Sequence, residues 1–92
     1  MASYQKDKEA LLRRLRRIEG QVRGIQRMVE EDKYCVDILV QIAAVRAALD
    51  KVGLILLEDH TRGCVARAIR HSEGDADAAI TELTEVLKHF LR

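Results

Sequence analysis

Three observations predict an all-α protein. Proline is absent and aromatic residues make up 3% of the chain, while helix-favouring Leu, Ala, Arg and Glu are abundant. Apolar residues recur in alternating steps of four and three, the spacing of one face of a helix. Charged residues, 34% of the total, fill the positions between them. At 92 residues the chain is expected to form one domain, 1–92. So short a chain buries a thin core, which favours a partner subunit.

The first helix is expected over about residues 6–31, on the stripe Leu11, Leu15, Ile18, Val22, Ile25 and Val29. Gly20 and Gly24 fall beside that stripe, where bare backbone lets a neighbour approach. "EEDKYC" breaks the pattern, and Asp32 is the expected cap of a second helix. That helix runs over about residues 34–70 on the stripe Ile38, Ile42, Val45, Leu49, Val52 and Leu56, with Gly53 and Gly63 as candidate kinks. At roughly 55 Å it is longer than a lone domain of this size is across, so another chain should cover it. "HSEGDAD" is the second break. Asp75 is the expected cap of a short final helix striped by Ala76, Ile80, Leu83, Leu87 and Phe90. The architecture predicted is a long antiparallel helical hairpin plus a short C-terminal helix, assembled as an oligomer.

The net charge of +1 conceals polarity. Basic residues outnumber acidic ones by eight to three over residues 6–27, whereas 73–85 carries acids alone. Such a surface suits an anionic partner, and the small net charge argues against indiscriminate polyanion binding. No apolar run reaches membrane-spanning length and "MASYQKDKEA" is too polar for a signal peptide, so a cytoplasmic location is expected. In that reducing compartment two cysteines are expected as thiols or metal ligands rather than a bridge. No glycine-rich phosphate loop, G-x-S-x-G or other catalytic constellation is present, and an enzyme is not expected.

Cys35 opens the long helix, and His60 and Cys64 lie one turn apart near its end. Cys35 and His60 share a face but stand roughly 37 Å apart along the axis, so one straight helix cannot bring them to one ion. Antiparallel pairing with a second copy can. A two-fold axis near Ala48 sets Cys35 of one chain opposite His60 and Cys64 of the other, twice per dimer, and Ala43, Ala44, Ala47 and Ala48 permit close approach there. Two thiolates and an imidazole form a soft three-donor set suited to Cu(I), whereas structural zinc wants four ligands. The same residues also admit a plainer reading, as a small apolar filler and a surface histidine.

"LLRRLRRIEGQVRGIQR" spreads Arg13, Arg14, Arg16, Arg17, Arg23 and Arg27 over the non-stripe faces of the first helix, with Glu19 nearly alone among them. Forked, permanently charged arginines suit phosphate contacts, and Arg46 and Lys51 on the long helix extend the patch. A solvated helix face is the alternative. No helix-turn-helix, zinc finger or basic zipper is present.

"RLRRIEGQVRGIQRMVEEDKYCVDILVQIAAVRAALDKV", followed by "LLEDHTRGCV", resembles the copper-sensitive operon repressor family of bacterial transcription regulators. The likeness covers about residues 8–90. It implies an all-helical four-helix-bundle dimer, assembled as a dimer of dimers, that binds operator DNA in the apo form and is released by Cu(I), derepressing copper-resistance genes. The implied metal ligands are Cys35 from one protomer with His60 and Cys64 from the other. Tyr34 and Glu82 are implied as the outer partners of the site, and Arg14 and Lys51 as operator contacts, with Arg13 and Arg17 beside them on the basic helix. Persulfide-sensing relatives lack the histidine, and nickel and cobalt sensors usually add one near the N-terminus, where "MASYQKDKEA" has none. A sensor of Ni(II) or persulfide, or a copper-buffering protein that never touches DNA, remain as alternatives.

Overall fold

The computed structural model describes residues 4–90. A 3-10 turn (Gln5–Asp7) leads into α1 (Lys8–Glu30), and α2 spans Cys35–His60. A π-helical turn (Thr61–Val65) joins α2 to α3 (Ala66–His71), and α4 spans Glu73–Phe90. The backbone stays right-handed helical on both sides of the π turn. Residues 35–71 therefore form one rod, the long second helix of the sequence reading, and α4 is the short final helix. There is no strand among the described residues, so the chain is all-α.

Both breaks use different chemistry from that expected. Asp32 does not cap the second helix; it ends the first. Its φ is 56°, the left-handed conformation that usually falls to glycine. Its N–H donates to the Val29 carbonyl at 3.1 Å and the Lys33 N–H to the Met28 carbonyl at 3.0 Å, which together satisfy two orphan carbonyls of α1. Aspartate tolerates this conformation where a β-branched residue does not. Asp32→Val should therefore destabilise the fold by about 1–2 kcal/mol, and Asp32→Gly should not, in urea melts at fixed protein concentration. At the second break Ser72, not Asp75, is the cap. Its Oγ accepts the Asp75 N–H at 3.0 Å, and the Asp75 carboxylate pairs instead with His71.

The helical stripes split in two. Leu11 and Ile18 of α1 pack with Val45 and Val52 of α2 as the buried core, and Ile25, Ala48 and Ile55 lie against them. Leu15, Val22 and Val29 of α1, and Ile42, Leu49 and Leu56 of α2, are exposed. Members of each set lie seven residues apart, so one strip closes the hairpin while the other forms a second, uncovered flank. Leu15 and Leu56 wall one cavity on that flank with Tyr4 and Leu12. Val36, Leu39, Val40 and Leu54 add further exposed apolar surface to α2, the distribution of a helix built for burial on more than one side. Ala48 belongs to the core within the chain, while Ala43, Ala44 and Ala47 are exposed.

Two magnitudes make the same point. The radius of gyration is 17.5 Å, against roughly 12 Å for a compact domain of this length. The accessible surface is 7221 Å², roughly 1,800 Å² more than a folded monomer of this mass carries. An excess of that order matches a whole standard protein–protein interface.

No residue of α4 is buried. The helix folds back beside the end of the rod, and its Phe90 ring lies over Gly53, where an added Cβ would come 2.8 Å from the ring Cε1. Gly53 therefore marks no kink, because α2 passes through it unbroken; its missing side chain admits the ring. Gly20 and Gly24 have no neighbour within 4 Å inside the chain. No described helix is long and apolar enough to cross a membrane.

Candidate metal centre

The three candidate donors sit at opposite ends of the rod. Cys35 is the first residue of α2 and is exposed. His60 is the last residue of α2, and Cys64 lies half-buried in the π turn. Gly63 lies in the same turn, which is the only departure from α geometry along the rod.

His60 faces α4. Its Nε2 lies 3.7 Å from Glu82 Oε1, beyond hydrogen-bond reach but close enough for attraction once the ring is protonated or the side chains close in. The two share a cavity of about 280 Å³ between α2 and α4, walled otherwise by apolar groups including Leu56, Leu57, Leu83, Val86 and Phe90. With Nε2 turned to a carboxylate, Nδ1 is the nitrogen left for another partner. A histidine ligand is usually prepared by an acid that fixes one ring nitrogen and leaves the other free, and Glu82 stands within reach of that role once the side chains close.

Cys35 does not join this group within one chain. Twenty-five residues of helix separate it from His60, roughly 37 Å, and no three His, Cys, Asp or Glu side chains of one chain form a metal-binding group among the described residues. Tyr34 precedes α2 and is 67% exposed, so it travels with Cys35 and stands a rod's length from His60. Of the outer pair, only Glu82 is beside the histidine of its own chain.

Arg13, Arg14, Arg17 and Lys51 are all exposed. Among the described residues no carboxylate lies within 4.0 Å of Arg13, Arg14, Arg16 or Arg17, and Glu19 pairs with Arg23 at 3.5 Å. The start of α1 thus presents arginine heads that form no ion pair among the described residues.

One residue escaped the sequence reading. Asp59 is 6% exposed, the one charged side chain buried among the described residues. The neighbouring Asp7 carboxyl, then burial, hold its carboxyl above the usual carboxylate pKa, with Lys6 acting in the opposite direction. The signal was available: Asp59 continues the buried series of Val45 and Val52 at the same seven-residue interval.

A family model described as metal-sensitive transcriptional repressor matches residues 7–89. The chain belongs to that family. The copper-sensing transcriptional repressor CsoR of Bacillus subtilis (strain 168) is 60% identical over 87 residues, 95% of this chain and 84% of the relative. The copper-sensing transcriptional repressor RicR of Mycobacterium tuberculosis is 47% identical over 89 residues, 97% and 93% of the two chains. Two solved structures of similar proteins bracket the fold. The crystal structure of the copper-sensing repressor CsoR with Cu(I) from Geobacillus thermodenitrificans NG80-2 aligns with a TM-score of 0.86 at 53% identity, over 95% of this chain and 88% of that one. The nickel-responsive transcriptional regulator InrS aligns with a TM-score of 0.74 at 44% identity, over 89% and 90%. The similar proteins compared above are thus named for copper, except InrS, which is named for nickel.

Proposed function

We propose that the protein is a Cu(I)-responsive transcriptional repressor of the cytoplasm, binding operator DNA when metal-free and releasing it when Cu(I) is bound. The observation that carries this reading is the division of soft donors between the two ends of one rod whose second apolar flank lies uncovered. Two hairpins laid antiparallel along that flank bury it as a four-helix bundle and bring Cys35 of each chain to His60 and Cys64 of the other. The copper-sensing names of the most similar relatives support the same choice of metal. A dimer of dimers is the expected final assembly, and the whole chain acts as a single sensing and DNA-binding domain.

Two thiolates and an imidazole fit Cu(I), and the half-buried Cys64 beside an imidazole already turned to an acid is a donor pair ready for a third ligand. Bound Cu(I) supplies a soft centre of low coordination number. The chain does the rest. His60 presents Nδ1 while Nε2 closes on Glu82 or on the partner protomer's tyrosine, which fixes the ring and draws α4 toward the rod. Because nothing in α4 is buried, this helix is the element free to move. Arg13, Arg14, Arg17 and Lys51 provide the phosphate-contacting surface. The residues have regulatory rather than catalytic roles.

The deciding experiment is fluorescence anisotropy on a duplex from the region upstream of the chain's own gene, with and without Cu(I), Ni(II) and a persulfide donor. Release by Cu(I) alone is expected. Release by Ni(II) alone would favour the second reading, which rests on the likeness to the nickel-responsive regulator; failure to bind the duplex at all would favour a copper buffer. In the same assay Arg14→Ala should weaken specific and random duplexes alike and reduce the slope of log affinity against log salt by about one. Unchanged affinity would make the basic face a solvated surface.

A further inference from the structure

Asp59 sits where a leucine or valine is expected. It follows Val45 and Val52 in the buried series facing α1 and is 6% exposed. Its Oδ1 lies 4.0 Å from Lys6 Nζ, at the outer limit of an ion pair. Its Oδ2 is buried with no hydrogen-bond partner among the described residues. A buried, unpartnered carboxylate oxygen is costly, and a native fold that keeps one invites an explanation. The surroundings offer it. Asp59 shares a polar cavity of about 300 Å³ with Lys6, Asp7, Arg14 and Glu58, so the exposed arginine at the start of the basic helix borders the same space as the unsatisfied oxygen.

Its place along the chain matters equally. Asp59 immediately precedes His60 at the end of α2. Successive residues of a helix point about 100° apart, so His60 turns toward Glu82 on α4 while Asp59 turns toward the turn that begins α1. A movement of His60 is therefore carried by shared backbone into the Asp59 carboxylate.

We propose that Asp59 is a positioning residue that couples the sensing end of the rod to the basic helix by competing with DNA phosphate for the Arg14 guanidinium. In the DNA-bound form Arg14 points outward and Oδ2 goes without a partner. In the released form the end of α2 is drawn toward α4, the cavity readjusts, and Arg14 turns inward to satisfy Oδ2. One guanidinium with two mutually exclusive partners is a two-state element, the kind of device that lets a small shift at one site alter affinity at another. The inference rests on the repressor reading above and deepens it.

Asp59→Asn tests it. The amide keeps the shape and removes the charge that attracts Arg14. The variant should melt at the wild-type temperature or above. Without metal it should bind operator as tightly as wild type, and without DNA its Cu(I) affinity, in competition with bicinchoninate, should fall by the same factor as the coupling. What should fall is the coupling: the factor by which Cu(I) weakens operator binding should shrink by about two- to thirtyfold. Wild-type coupling in the variant overturns the proposal. So does a parallel loss of melting temperature, Cu(I) affinity and operator affinity, which would mark Asp59 as a merely structural group. If wild type itself is not released by Cu(I), the repressor reading falls first and this inference with it.

Discussion

A heterodimer of Cys35→Ser and Cys64→Ser chains should bind Cu(I) when neither homodimer does. Each homodimer lacks one thiolate at both of its sites, and loss of a direct ligand should lower Cu(I) affinity by more than the roughly 10–100-fold that follows removal of an outer partner. In the heterodimer the defects segregate. The chain with intact Cys35 faces the chain with intact His60 and Cys64 at one site, and both defects fall at the other. A heterodimer purified on two different tags should thus carry about half the wild-type Cu(I), because a two-fold dimer has two such sites. Within one chain the donors are held roughly 37 Å apart by helix, so no intrachain site can give this result. Heterodimers as empty as the homodimers would end the case for a site shared between protomers, whatever the affinity of wild type.

His60→Ala should separate binding from response. Two thiolates remain, and a linear pair of sulfurs satisfies Cu(I), so the variant should keep much of its metal affinity. What it loses is the ring whose Nε2 stands 3.7 Å from Glu82 Oε1, and with it the connection between the rod and α4. Allosteric coupling factors typically fall between about 5 and 150; the variant's factor should approach one. Anisotropy titrations of operator with apo and Cu(I)-loaded variant measure it, and normal release would show that α4 receives its signal by another route. By reciprocity, operator DNA should weaken Cu(I) binding to wild type by the same factor and to the variant hardly at all.

The helices were legible because periodicity reports which face of a helix must be covered, and every stripe residue named from the sequence lies on a helix of the structure. Periodicity does not report what covers it. The stripes of α1 and α2 turned out to be two strips, Leu11 and Ile18 against Val45 and Val52 within the chain, and Leu15, Val22, Leu49 and Leu56 outside it. The breaks were placed correctly but their chemistry was not. Aspartate was chosen at both on cap preference, whereas the backbone used Asp32 for a left-handed residue and Ser72 for the cap. Local side-chain competition of this kind is decided by backbone angles that composition does not reveal. At the candidate site, the separation of Cys35 from His60 followed from counting residues along a helix. The approach of Glu82 to His60 depends on how α4 folds back after Ser72, and periodicity contains no information about that angle; only the resemblance pointed to it. Gly63, a candidate kink in the sequence, lies in the π turn, but nothing in "TRGCV" distinguishes a wide turn from an ordinary one.

The hairpin's second flank, with Leu15, Val22, Leu49 and Leu56 turned to water, ties the protein's durability to its abundance. A chain stabilised by its own copies melts at a temperature that climbs with concentration. When supply runs low, separated halves with greasy sides become food for chaperones and proteases. Scarce molecules are thus cleared faster than plentiful ones, so the pool should drop steeply once synthesis stops rather than fade at a constant rate.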